Sequence, residues 1–201
     1  MIARQLHTAA MNTRGGPGVA LAPAQRAQWP WLQSAVDMAW RRWDSSPAEP
    51  DGQSGSWSAM PKVATRTPAP VTRSIATARA FTLRTLQKWG APDRADDAAA
   101  VVTELMTNAL RHALPVPPAD DETPSGWPIR LGLADPGPCV ICAVADPSPR
   151  APAPRQPDWQ DEAGRGLLVV ASLSDQWGFC TAPGGRGKVV WAAFAAPPRS
   201  S

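Results

Sequence analysis

The stretch Val101 to Ala113, VVTELMTNALRHA, constrains the fold of this chain more than any other. Glu104, Asn108 and His112 recur every four residues within it. On an α-helix of about 3.6 residues per turn, a step of four advances roughly 40° around the axis, so these side chains form one slowly winding polar stripe. Ala99, Val102, Leu105, Met106 and Ala109 supply apolar surface on the other sides, and a largely apolar helix belongs in a core. A carboxylate, an amide and an imidazole on such a helix are costly unless each has a partner. A bound ligand is one source of partners: a carboxylate can orient water, and an amide oxygen can bind a hard cation such as Mg²⁺. The same spacing also fits a solvated helix face, because polar residues at i and i+4 are common on helices.

The chain has 201 residues, which fits one domain of ordinary size plus a tail. Its formal charge of +3 is small for a pI near 9.1, and its Lys and Arg are scattered without a basic run. No direct nucleic-acid partner is expected from that distribution. No apolar stretch approaches the roughly 18–20 residues of a membrane span. The opening MIARQLHTAAMNTRGG lacks the apolar centre of a secretory signal, so a cytoplasmic address is expected. Three cysteines cannot close a disulfide framework. Cys139 and Cys142 form a C-x-x-C, but PCVICAVAD reads as a buried strand. Residues i and i+3 of a strand point to opposite faces, whereas a redox motif should open a helix. With His7 and His112 as the only histidines, a zinc site lacks ligands.

Residues 1–69 read as a largely disordered extension, with scattered Pro, Gly, Ser and Gln and few aliphatics. One island, Trp29 to Trp43, places Trp29, Leu32, Val36, Ala39, Trp40 and Trp43 at helical spacing. A short helix over 29–43 could pack on the domain or bind a partner. Deleting residues 1–68 is expected to spare the folded domain, which spans 70–196. Its first helix runs from Val71 to Trp89, ended by Gly90 and Pro92. Asp93 is the expected N-cap of the striped helix, and LPVPP prevents that helix from continuing past Ala113. Strands are expected at Ile129–Ala134, Cys139–Asp146, Trp177–Thr181 and Lys188–Phe194, with a short helix at Leu167–Leu173. Pro-Gly-Gly-Arg-Gly before Lys188 signals a hairpin. Helices with hairpin-joined strands predict an α+β, two-layer sandwich, helices on one face of a mostly antiparallel sheet.

Two further segments accompany the stripe. Asp146 ends the apolar strand CVICAVAD. An acid there is commonly the first solvated residue of a loop, but it can also accept a hydrogen bond from an exocyclic amine in a pocket. Gly164 and Gly166 flank Arg165 just before an apolar helix. Glycines let backbone amides approach a ligand closely, and a helix N-terminus favours anions. Alone the pair also fits a tight turn, and no Walker loop is present.

Glu104-Leu105-x-x-Asn108-Ala109-x-x-His112, then Asp146, then Gly164-Arg165-Gly166-Leu167 occur in an order and spacing that resemble the N, G1 and G2 boxes of the Bergerat-fold ATPases. The phrases TELMTNALRHA, GRGLLVVASLSDQWG and GKVVWAAF are most similar to the anti-sigma-factor serine/threonine kinase branch, small ATP-binding regulators of high-GC bacteria. The similarity spans roughly Pro70 to Phe194. It implies the Bergerat fold, with ATP and Mg²⁺ as cofactors. It implies Glu104 as the carboxylate that orients or deprotonates the attacking group, Asn108 as the Mg²⁺ ligand and Asp146 as the adenine-reading acid. Gly164, Arg165, Gly166 and Leu167 correspond to the phosphate-contacting loop, and His112 to the end of the N box. Lys188 falls near the family's late strand motif. The implied partners are a sigma factor and an anti-sigma-factor antagonist protein, with a homodimer left open. Where the family has D-x-G-x-G, this chain has Asp146-Pro147-Ser148-Pro149-Arg150, and proline restricts a turn and removes an amide donor. A catalytically weak docking module is therefore the alternative to a kinase. With no phosphoacceptor histidine box in the sequence, a sensor histidine kinase is disfavoured.

Overall fold

The computed structural model describes residues 28–44, 61–112, 129–152, 165–185 and 187–196. In chain order these form α1 (Pro30–Asp44), β1 (Lys62–Arg66), α2 (Arg73–Trp89), a 3-10 turn (Pro92–Arg94), α3 (Ala95–His112), β2 (Arg130–Asp135), β3 (Cys139–Asp146), α4 (Gly166–Leu173), β4 (Gln176–Thr181) and β5 (Lys188–Ala195). The strands make one antiparallel sheet in the order β1-β2-β3-β5-β4. Four helices pack against it, giving the α+β class. No helix among the described residues is long and apolar enough to cross a membrane.

The alternation of side chains along the strands divides the core in two. Leu131, Leu133, Val140, Cys142, Val144, Val190, Ala192 and Phe194 face one side, where they meet α2, α3 and α4. Ala134, Cys139, Ile141, Ala143, Ala145, Val189, Trp191 and Ala193 face the other, where α1 covers them. Every residue of β3 is buried. Its continuous apolar run follows from cover on both faces, whereas a one-sided sheet would alternate with polar residues. Cys139 and Cys142 accordingly lie on opposite faces of β3, and burial pushes both thiols far above their ordinary pKa.

The α1 helix is the departure from helices on a single face. It begins on Pro30, whose fixed φ suits the first helical turn, and it buries Trp31, Leu32, Ala35, Val36 and Ala39 along one stripe. The sheet accepts this bulk because the residues beneath are small. A Cβ at Gly132 would lie 2.7 Å from Trp31 Cη2 and 2.9 Å from Leu32 Cδ1. At its other end, Arg42 Nη1 donates to the Trp177 carbonyl at 2.6 Å, and the guanidinium sits 5.7 Å from the Trp191 ring centroid. The short edge strand β1 pairs with β2 from Lys62↔Asp135 to Arg66↔Leu131. Lys62 Nζ ties it down further, donating to the Trp89 carbonyl at 3.0 Å and lying 3.4 Å from the buried Asp135 carboxylate. Both α1 and β1 lie within residues 1–69, and both pack on the sheet.

On the opposite face, α2 ends where Gly90 takes φ +80°, its amide donating to the Gln87 carbonyl. Asp93 does not cap α3; it lies inside the 3-10 turn that feeds the helix, which starts at Ala95. Ala95, Ala98, Ala99, Val101, Val102, Leu105, Met106 and Ala109 are the buried side of α3.

Because α1 and β1 complete the sheet, removing residues 1–68 should destabilise the domain instead of sparing it. Burying Trp31, Leu32 and Val36 contributes about 1.5–3 kcal/mol each, against a domain stability of about 5–15 kcal/mol. The truncated protein should lose its cooperative thermal transition or melt more than about 10 °C lower by circular dichroism. An unchanged Tm would show that α1 does not belong to the core.

Candidate functional site

Four segments distant in sequence line one cavity of about 260 Å³: Glu104 to His112 of α3, the end of β3 with the turn after it, the start of α4 and the start of β5. Val144 and Val190 form an apolar part of its wall. Glu104 and Asn108, half-buried, point from the striped face of α3 towards the first residue of α4. A Cβ at Gly166 would lie 2.6 Å from Glu104 Oε2 and 3.4 Å from Asn108 Nδ2. A side chain at 166 would push the Glu104 carboxylate aside, so glycine lets the α4 N-terminus and the stripe meet without that displacement. Among the described residues, no hydrogen bond or ion pair engages the Glu104 or Asn108 side chain. Among the described residues, the Glu104 carboxylate and Asn108 amide thus face the cavity without a protein partner.

His112, exposed at the end of α3, lines the same cavity, as does the buried Leu167. Arg165 is exposed and does not line it; its carbonyl accepts the amides of Leu168 and Val169 at the head of α4. Gly164 lies outside the described residues. Thr107, Arg111, Ser148 and Arg150 also line the cavity. Arg111 was within reach of sequence reasoning, since it immediately precedes His112 at the open end of the stripe. Nothing in the sequence marks Ser148.

Asp146 is buried at the far end of β3, directly opposite Lys188 in the β3–β5 ladder. Its Oδ1 accepts from Lys188 Nζ at 2.8 Å and from the Ser148 amide at 2.9 Å. Lys188 Nζ also donates to the Ser148 carbonyl at 3.2 Å. Burial raises the Asp146 pKa above the ordinary carboxylate value, while the Lys188 ammonium and the Ser148 amide oppose that rise. Lys188 thus turns towards Asp146. The signal was its parity: residue 188 shares a strand face with Val190, Ala192 and Phe194, the side of the sheet that carries α3.

The Asp146–Arg150 segment turns without glycine. The Ser148 amide bonds back to Asp146 Oδ1, and the Arg150 amide donates to Ser148 Oγ at 3.3 Å. Two successive side-chain-closed turns of this kind replace the backbone freedom of a glycine turn. No non-glycine residue among those described has positive φ. The prolines at 147 and 149 occupy the two positions whose amides this arrangement leaves unused.

The chain matches the histidine kinase-like ATPase domain family over residues 68–194. No curated protein matches it. Among solved structures it is similar to the RsbU and RsbW domains of Rv1364c from Mycobacterium tuberculosis, at 18% identity and a TM-score of 0.47, over 70% of this chain and 34% of that one. It thus spans about a third of that chain. It is also similar to the histidine kinase domain of a blue-light activated histidine kinase from Erythrobacter litoralis, at 17% identity and a TM-score of 0.37, over 86% of this chain and 81% of that one. With the family model covering more than half of its length, the chain belongs to the histidine kinase-like ATPase domain family and is an ATP-binding domain of that kind.

Proposed function

We propose that this protein is a regulatory serine/threonine kinase of the anti-sigma-factor type, which phosphorylates a small antagonist protein and docks a sigma factor. The observation that carries this reading is the pair Glu104 and Asn108, half-buried against Gly166 with no partner among the described residues and facing a cavity whose other wall carries Asp146. Half-buried at the cavity wall, the pair leaves a carboxylate and an amide available to a ligand.

In this reading Asp146 accepts the exocyclic amine of adenine, and the α4 N-terminus at Gly166 receives the phosphates. Asn108 Oδ1 would hold Mg²⁺. Among the described residues no group of three or more His, Cys, Asp or Glu side chains could hold a metal ion. One protein oxygen suffices, because Mg²⁺ retains several waters and takes its remaining ligands from nucleotide phosphates. When bound, the ion neutralises charge on the transferring phosphoryl group. Glu104 takes the proton of the acceptor hydroxyl as that oxygen bonds to the γ-phosphorus, and the bond from the γ-phosphorus to the bridging oxygen breaks to leave ADP. Arg111 and Arg150 at the cavity add positive charge for the phosphates or for an acidic partner.

A docking module without phosphotransfer is the second reading. It is favoured by the Asp146–Arg150 turn, which closes on its own side chains and keeps none of the family's glycines. Glu104→Gln separates the two. As a kinase, the variant should bind ATP as the wild type does while transfer to candidate antagonist proteins falls about 10²-fold or more, the usual range for loss of a general base. An unchanged transfer rate would remove Glu104 from the chemistry. A wild-type protein that binds ATP but transfers to no candidate would support the docking reading.

Asn108→Ala should abolish the Mg²⁺ dependence of ATP affinity while leaving the circular dichroism spectrum and Tm close to wild type. Its amide makes no bond within the described protein, so truncation breaks no structural contact. Unfolding of this variant would instead make the stripe structural.

A further inference from the structure

We infer that Lys188 reads the base directly, donating from Nζ to the ring N1 of adenine beside the Asp146 contact. This rests on the ATP-binding reading above and assigns a selectivity residue within it.

The side chains of Lys188 and Asp146 are both almost wholly removed from solvent, and both line the cavity. An ammonium has three N–H donors. Two are taken, by Asp146 Oδ1 at 2.8 Å and the Ser148 carbonyl at 3.2 Å. The third has no partner among the described residues. Both protein contacts to Asp146 fall on Oδ1, which leaves Oδ2 as an acceptor. The pair therefore presents an acceptor and a donor side by side at a cavity wall. Their complement is a ligand edge with a donor adjacent to an acceptor, which adenine supplies as its 6-amino group and N1.

The juxtaposition is built into the backbone. Gly187 takes φ +79°, and a Cβ there would collide with the Asp146 carbonyl oxygen and lie 3.0 Å from Pro147 Cα. Glycine at 187 thus allows β5 to start hard against the end of β3, which sets Lys188 opposite Asp146. A carboxylate alone reads only the amino group. With the ammonium beside it, the pair also tests the neighbouring ring position, and a 6-oxo purine bearing N1–H presents the wrong group to each partner. A site built this way discriminates by leaving buried polar groups unpaired with the wrong ligand.

The test compares ATP with 1-deaza-ATP, in which C–H replaces N1, by calorimetric titration of the full-length protein with Mg²⁺. Wild type should bind the analogue roughly 10-fold or more weakly than ATP, the range for a hydrogen bond to a charged donor. Lys188→Met, checked for folding by circular dichroism, should bind both nucleotides with equal affinity. The wild-type comparison decides the matter even if that variant, which strands the Asp146 carboxylate, fails to fold. Equal affinity of wild type for ATP and 1-deaza-ATP would overturn the Lys188 contact and leave the ATP site standing. Failure of ATP itself to bind would overturn both.

Discussion

The pairing of β3 with β5 is the constraint on which the rest of the structure depends. The two strands run antiparallel in unbroken register from Cys139↔Ala195 to Asp146↔Lys188, and both are buried along nearly their whole length. That double burial needs cover on each face. One face receives α3, which carries the Glu104–His112 stripe; the other receives α1. The end of the same ladder sets Asp146 and Lys188 together beneath the stripe. One register thus fixes the layers of the fold, the depth of the cavity and the chemistry of its wall. A one-residue slip would turn every side chain of β5 to the other face and withdraw Lys188 from the site.

The polar groups of the cavity fall into two kinds. Asp146, Lys188 and Ser148 satisfy one another in a compact buried network with few spare positions. Such a network is rigid and costly to leave half-made. Glu104 and Asn108 are the reverse, held close to Gly166 with no partner among the described residues. The first kind presents a fixed edge to a ligand. The second is available to groups that arrive and leave, which suits phosphates, a cation and an acceptor hydroxyl. In the proposed reading ATP occupies this cavity, and the division between fixed and open polar groups gives a physical account of how the base is held firmly while the phosphates exchange.

Much of this was legible because it rests on local period and punctuation. The i, i+4 stripe marked α3, Gly90 and Pro92 marked the end of α2, and the run CVICAVAD gave β3 to the residue. The structure brings Glu104, Asn108, His112, Asp146, Gly166 and Leu167 to one cavity, while Arg165 is exposed and does not line it. What sequence patterning missed depends on tertiary contact. KVATR is short and follows a segment poor in aliphatics, and it becomes β1 only because β2 offers it an edge. The α1 helix showed its amphipathic period, but its seat on the sheet required the small residues at 132, 134, 143, 145 and 193, which come together only after pairing. Asp93 had the right chemistry for a cap, yet the preceding Pro92 starts a 3-10 turn that absorbs it. The parity of Lys188 with Val190, Ala192 and Phe194 showed its face, but its pairing with Asp146 followed from the β3–β5 register, which no local pattern encodes.

The central claim is that the cavity between α3, β3, β5 and α4 is an ATP site completed by a divalent cation. Calorimetric titration of the full-length protein with ATP, in Mg²⁺ and again in EDTA, tests it most directly. The account predicts saturable binding of one nucleotide per chain that weakens markedly when Mg²⁺ is removed. No binding at millimolar ATP with Mg²⁺ present would contradict it.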